Sequence, residues 1–268
     1  MGILNITPDS FADGGRRLDP GVAIADGERM LADGADLIDV GGESTRPGAP
    51  PLDEDEEWRR IEPVIRGLRA RTRAAISVDT YKASIAERAI DLGADLINDV
   101  SALTYDPPIG GVVARAGVAM ILLHTRGRSA DMYARAEYAD VVAEVTAELS
   151  ARDAAAREAG ITADRIILDP GLGFAKRAAH SFAVLAALPR IASLGRPILS
   201  GPSRKSFLTA AIGDRPPDER VWATAAAVTA SVLFGAHIVR VHDVKEMVDV
   251  VRVADEVAMH EGRRAEDQ

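Results

Sequence analysis

Cysteine is absent from all 268 residues. That excludes a disulfide scaffold, a thiolate nucleophile, a zinc–thiolate centre and an iron–sulfur cluster. It also fits a reducing compartment, so a cytoplasmic location is expected. Aromatic residues make only 4% of the chain, too few to stack single-stranded nucleic acid. Positive charge is in the minority, with 32 Lys and Arg against 41 Asp and Glu and a net charge of -9. Such a surface lacks the basic footprint that a phosphate backbone requires, so no nucleic-acid partner is expected. No apolar run reaches the roughly 18 residues of a membrane span, and the Ala-rich stretch from Thr224 to Phe234 reads as a buried helix. No membrane partner is expected, and Met1-Gly2-Ile3-Leu4-Asn5 does not read as a targeting segment.

What is present is ordinary globular material, 47% hydrophobic and 27% charged. Short apolar runs alternate with amphipathic stretches. Strands are expected over 3–6, 37–40, 75–78, 96–98, 119–123, 165–168, 197–200 and 237–241. Helices are expected over 20–33, 55–71, 82–92, 108–116, 138–159, 180–193, 218–234 and 244–260. Most strands are almost wholly apolar, as parallel strands covered by helices are. Gly34-Ala35, Gly93-Ala94, Gly117-Val118 and Gly235-Ala236 each place a helix-capping glycine directly before a strand. Eight such units predict an α/β fold, a single (β/α)8 TIM barrel with its active site at the C-terminal ends of the strands. The barrel domain would run over 1–260 and leave a short polar tail, 261–268.

Polar residues crowd those strand ends: Asn5, Asp39 to Arg46, Asp79, Asn98, His124, Asp169, Ser203-Arg204-Lys205 and Arg240-Val241-His242-Asp243. Asp79, Asn98 and Asp169 could converge in one mouth, where a buried carboxylate needs a donor or a cation. A flat heterocycle with an amino group beside a ring N–H, a pterin or guanine, gives one carboxylate two parallel donors. The competing role for Asp79 is a helix N-cap. The loops after the seventh and eighth strands are the usual phosphate site of such barrels, and Lys205, Arg240 and His242 suit a small anion. Arg240 could instead pair with Asp243 or Glu246 at the surface. The run Asp53 to Glu57 reads as a helix start complementing the dipole. No closely spaced His, Asp and Glu cluster suggests a transition metal. A Mg2+ held by one or two protein oxygens and by phosphates remains compatible. The long loops 7–18 and 43–53 read as lids or binding loops.

Seven motifs at these strand ends resemble the dihydropteroate synthases, a family of pterin-binding enzymes. They are Asn5-Ile6-Thr7-Pro8-Asp9-Ser10-Phe11, Asp39-Val40-Gly41-Gly42-Glu43-Ser44-Thr45-Arg46-Pro47-Gly48, Ile76-Ser77-Val78-Asp79-Thr80, Ile97-Asn98-Asp99-Val100, Asp169-Pro170-Gly171-Leu172-Gly173-Phe174, Ser203-Arg204-Lys205-Ser206-Phe207 and Arg240-Val241-His242-Asp243. The resemblance implies condensation of a hydroxymethyl dihydropterin pyrophosphate with p-aminobenzoate, giving dihydropteroate and pyrophosphate. It implies that Asp79, Asn98, Val100, Asp169, Lys205 and Arg240 hold the pterin, and that Asn5, Arg240 and His242 bind pyrophosphate, with Asn5 also on Mg2+. Phe11, Thr45, Arg46, Pro47, Phe174, Ser203 and Lys205 would frame p-aminobenzoate. Asp13, Asp79, Asp169, Lys205 and Arg240 would act in catalysis, Asp13 by stabilising a cationic pterin methylene. A homodimer through the last two helices and sulfonamide as a competitor of p-aminobenzoate are implied as well.

Departures from the family pattern are Leu122-Leu123-His124-Thr125, where methionines commonly flank the histidine, and His180-Ser181 in place of His-Asn. The chain also begins at its first strand, where members often carry residues that plug the barrel bottom. Two other readings compete. One is a methyltransferase taking a methyl group from methyltetrahydrofolate to a corrinoid protein, which leaves Lys205 and Arg240 without a purpose. The other is a pterin-binding paralogue without synthase activity.

Overall fold

The computed structural model describes residues 1–7 and 19–266, with side chains up to residue 260. Eight strands follow one another in parallel among the described residues: β1 (Gly2–Asn5), β2 (Leu37–Gly41), β3 (Ala75–Asp79), β4 (Leu96–Asp99), β5 (Ala119–Leu123), β6 (Ile166–Asp169), β7 (Leu199–Ser200) and β8 (Ile238–Val239). The first six form one sheet in chain order, and β7 pairs with β8. Two single bridges, Leu168 with Ile198 and Gly2 with Val241, join the two sheets into a ring. The Ile3 amide donates to the Val241 carbonyl at 2.9 Å, and the Val241 amide to the Met1 carbonyl at 3.0 Å. The fold is the expected TIM barrel, with its seventh and eighth strands shorter than their apolar runs.

The helices between the strands are α1 (Pro20–Ala32), α2 (Glu54–Arg69), α3 (Ala83–Asp91), α4 (Ile109–Ala116), α5 (Val141–Glu158), α6 (Ala178–Ala186), α7 (Leu188–Ala192), α8 (Thr209–Ile212), α9 (Val221–Leu233) and α10 (Val244–Glu266). Asp19, Asp53 and Asp140 cap α1, α2 and α5 by accepting first-turn amides, which satisfies orphan donors at each start. One expectation fails here. The single helix over 180–193 is two, α6 and α7, because Pro189 lacks the amide a continuous helix needs and is at home in a first turn.

Successive strand residues face opposite ways, and this builds two cores. Ile38, Val40, Ile76, Val78 and Ile97 point outward and pack on helix residues such as Ala23, Ile61, Leu68 and Ile85. Met1, Leu96, Ile121 and Leu199 point inward with Leu37, Ala75, Ala119, Ile167 and Ile238 and fill the lower barrel. Two residues further along the same inward row stand Asp39, Ser77, Asn98, Asp169 and Arg240. The period of two therefore turns an apolar floor into a polar roof on the same strands.

The turn after β4 shows how a strand end is held open. Asp99 faces outward yet is fully buried. Its carboxylate accepts the Ser101 amide and hydroxyl and the Leu103 amide, each at 2.7 Å. Those bonds hold Ala102 and Leu103 at φ of 47° and 68°, left-handed values that cost a residue with a side chain about 1–2 kcal/mol. Asp99→Ala should lose the clamp while keeping the strain, costing about 2–3 kcal/mol. Thermal melting should show Tm lower by roughly 5–10 °C. An unchanged Tm would mean the turn holds itself.

Candidate active site

Arg240 lies just past β8 and crosses the barrel interior. Its Nε donates to Asp39 Oδ2 at 2.6 Å and its Nη2 to Asp79 Oδ2 at 2.9 Å. The same Asp39 oxygen accepts Asn98 Nδ2 at 3.1 Å. Neither surface partner nor cap survives as an alternative. Asp243 is paired with Arg204, and α3 begins at Lys82 with no side-chain cap. Asp39 is a residue that sequence reasoning did not select. Its signal was available, since it stands two residues after inward-facing Leu37 within an otherwise apolar run.

Electrostatics follow from burial. Removal from water pushes the Asp79 carboxyl up to about 7, against the pull of Arg240 and with the push of Asp39. Burial likewise raises Asp169, with Lys205 opposing. Burial lowers Lys205 to about 8, with Asp169 opposing. Burial also works against the Arg240 charge, but Asp39 and Asp79 outweigh it and hold the guanidinium ionised. Burial thus moves the Asp79 and Asp169 carboxyls up and the Lys205 ammonium down from their ordinary values.

On the opposite wall, Asp169 Oδ1 accepts the Gly171 amide at 2.7 Å. Gly171 has φ of +67°, and a Cβ there would stand 2.0 Å from the His124 carbonyl oxygen, so only glycine fits. Lys205 Nζ donates to the Leu172 carbonyl and lies 4.4 Å from the Phe174 ring centre. Ser203 Oγ accepts the His242 amide at 3.1 Å and bonds His242 Nδ1 at 3.0 Å. Arg204 departs from the expected basic cluster. It has φ of +57°, pairs with Asp243 and receives Arg220 on its carbonyl, so it ties the last two loops to α9.

Thr45 and Val100 line a recess of about 70 Å³ with Phe174, Tyr81, Tyr105 and Arg128. Arg46 and half-buried Thr45 belong to a loop whose Gly48 amide donates to Ser129 at 2.8 Å, while Pro47 is exposed. Behind this loop Lys82 Nζ binds Glu43 at 2.7 Å, Glu57 at 2.6 Å and the Leu52 carbonyl at 2.6 Å. Glu57 is therefore turned inward, unlike the rest of its acidic run. Asn5 stands at the end of β1 beside Gly41, where a Cβ would lie 3.5 Å from Asn5 Oδ1 and 3.3 Å from Asp79 Cβ. Phe11 and Asp13 lie outside the described residues.

Residues 1–242 match the family described as pterin binding enzyme. The chain belongs to the pterin-binding enzyme family. Dihydropteroate synthase of Mycobacterium leprae is 47% identical over 94% of this chain and 91% of its own length. The Yersinia pestis dihydropteroate synthase, solved as a sulfonamide drug complex, superposes with a TM-score of 0.92 at 38% identity, covering 96% of this chain and 93% of that one. The Xanthomonas albilineans dihydropteroate synthase with 4-aminobenzoic acid gives 0.89 at 44% identity, covering 96% and 92%.

In this pterin-binding enzyme one more charged group lies behind the mouth. Lys176 is fully buried, and its Nζ meets His124 Nδ1 at 2.8 Å and the Phe174 carbonyl at 3.1 Å. His124 Nε2 meets Glu148 at 2.9 Å. Burial lowers Lys176 from 10.5 to about 7 and His124 from 6.5 to about 4. An unfolded chain keeps the lysine proton up to its ordinary value. Between pH about 7 and 10.5 the unfolded state therefore binds more protons, and stability from this group rises with pH. Denaturant melts should show wild type gaining roughly 1–2 kcal/mol on Lys176→Met between pH 7 and 9. Parallel curves would mean that Lys176 is not depressed.

Proposed function

We propose that this pterin-binding enzyme is a dihydropteroate synthase, a transferase that condenses 6-hydroxymethyl-7,8-dihydropterin pyrophosphate with p-aminobenzoate in folate biosynthesis. The observation that carries the reading is the mouth itself: Asp79, Asn98 and Asp169 stand at the inward ends of their strands, and Lys205 and Arg240 are in electrostatic reach of the two carboxylates, with His242 on Ser203. Asp79, Asn98 and Asp169 hold the donor edge of the pterin, with Val100, Lys205 and Arg240 against the ring. Asn5, Arg240 and His242 take the pyrophosphate, and Thr45, Arg46, Pro47, Phe174, Ser203 and Lys205, with Phe11, frame p-aminobenzoate. Related enzymes that hold 4-aminobenzoic acid or a sulfonamide support that second pocket.

The C–O bond breaks with its electron pair leaving on pyrophosphate, the neutral aniline nitrogen bonds to the cationic methylene carbon, and the aniline proton passes to the pyrophosphate. Arg240 and His242 meet the negative charge that grows on the leaving group. Asp79 and Asp169 favour the positive charge left on the carbon, and Asp13 assists. No base of the Ser–His kind is required, because the nucleophile is already neutral. The long loop 43–53 would help exclude water from the cation, and residues 8–18 of the other long loop lie outside the described residues.

Among the described residues no group of three or more His, Asp or Glu is placed to hold a metal. Asn5 Oδ1 and the Asp79 side chain both lie within 4 Å of where a Gly41 Cβ would stand, so the Asn5 oxygen would be the protein ligand of a Mg2+ carried on the pyrophosphate. Bound there, Mg2+ would neutralise the leaving pyrophosphate.

Pyrophosphate release should require both p-aminobenzoate and Mg2+ and should yield dihydropteroate. Lys205→Ala and Arg240→Ala should each lower kcat/KM about 100-fold or more, equivalent to roughly 2.7 kcal/mol, with circular dichroism showing the fold retained. Pterin binding without release would instead favour a silent paralogue.

The partners are thus two small molecules and a second copy of this chain. Trp222 and Leu233 of α9 and Val253, Val257 and Met259 of α10 are exposed apolar side chains, Trp222 to 80% and Val253 to 66%. Exposed apolar side chains on these two helices support a dimer through them. No helix among the described residues is long and apolar enough to cross a membrane, and the cysteine-free composition suits a cytoplasmic site. Light scattering should give the dimer mass for wild type and the monomer mass for Val257→Asp. A monomeric wild type would sink this part.

A further inference from the structure

We propose that Asp39 is a positioning residue that makes the site selective for a 2-amino pterin ring by locking the Asn98 amide with its carbonyl oxygen toward the ligand. The inference rests on the pterin reading above and deepens it.

Asp39 is wholly buried, and its carboxylate accepts only. The primary amide of Asn98 has two ends of nearly equal shape and opposite polarity. Facing Asp39, Nδ2 makes a bond of 3.1 Å. Facing it with Oδ1 would set two buried oxygens against each other, with a hydrogen bond lost. The carboxylate itself cannot turn away, because Arg240 Nε holds the same oxygen at 2.6 Å. The orientation of Asn98 is thereby imposed from across the barrel, by a strand two places away in the sheet.

The consequence lies on the far side of the amide. Asn98 Oδ1 is buried with no protein partner, and one Nδ2 hydrogen remains beyond the bond to Asp39. Asn98 stands in register beside Asp79. It therefore offers an acceptor and a donor side by side within the polar mouth. A pterin edge answers both, with its 2-amino group donating to Oδ1 and its N1 accepting from Nδ2. A lumazine has a carbonyl at position 2 and an N–H at position 1, so both contacts clash. An unlocked asparagine would rotate by half a turn and accept either ring. Asp169 also disfavours the 2-oxo ring, so Asp39 contributes a part of the preference.

Asp39→Ala is the informative change. It removes the one oxygen that Arg240 and Asn98 share, leaving Arg240 on Asp79 and the Asn98 amide free to turn. Dissociation constants for pterin-6-carboxylate and lumazine-6-carboxylate should be measured on both proteins by calorimetry. Wild type should prefer the pterin, and the variant should lose about tenfold of that preference. In an Asn98→Ser background the same substitution should leave the ratio unchanged. Equal weakening of both ligands by Asp39→Ala would overturn the proposal and confine Asp39 to supporting Arg240. Failure of wild type to bind either ligand would instead overturn the pterin reading. Should the variant not fold, hydrogen exchange of the Asn98 side-chain amide in ligand-free wild type decides: one slowed proton is expected, and two equally fast ones would refute the lock.

Discussion

Much of this molecule depends on a guanidinium held between two carboxylates inside a barrel. Arg240 could not stay charged there alone, since removing an ion from water costs several kcal/mol even after relaxation. Asp39 and Asp79 supply the compensation at 2.6 and 2.9 Å. Burial and Asp39 push the Asp79 carboxyl up, and Arg240 pulls it down. The three groups come from β2, β3 and the end of β8, so the cluster exists only when the ring is closed. Closure rests on single bridges and a few amide bonds beside β1. The charge cluster therefore depends on the closed fold.

The same strands carry structure below and chemistry above. Leu37 precedes Asp39, Ala75 precedes Ser77 and Asp79, Leu96 precedes Asn98, and Ile238 precedes Arg240, each step keeping to the inward face. The apolar floor excludes water from beneath the charges. That raises both the cost of an unpaired group and the strength of a paired one. Shifted carboxyl groups at Asp79 and Asp169 and a lowered Lys205 follow from this placement alone.

Cations elsewhere in this acidic chain hold loops in place. Lys82 joins Glu43 to Glu57, Arg204 joins the seventh loop to the eighth through Asp243, and Lys176 joins His124 to the Phe174 carbonyl. Each is buried or nearly so and bonded on several sides, as an internal charge must be. The mouth thus has shaped walls before any ligand arrives, which lowers the ordering cost of binding.

The alternation of apolar runs with helical stretches, and the glycines before strands, made an eight-stranded barrel legible from residues alone, because those periods reflect local geometry. The polar strand ends named Asp79, Asn98, Asp169, Lys205 and Arg240, because a charged residue closing an apolar run has few other uses. Asp39 stood among the polar strand ends without a role, since its meaning lies in Arg240, about 200 residues away. Arg204 stood among the polar strand ends until its partner Asp243 was brought beside it, and Lys176 gave no sign of its place beside His124. Pairing between distant charges is decided by strand order and register, and no local pattern encodes it. Composition and periodicity thus determined which groups would meet at the mouth, whereas only the closed barrel decided which charge faces which, because that depends on distances set by the whole ring.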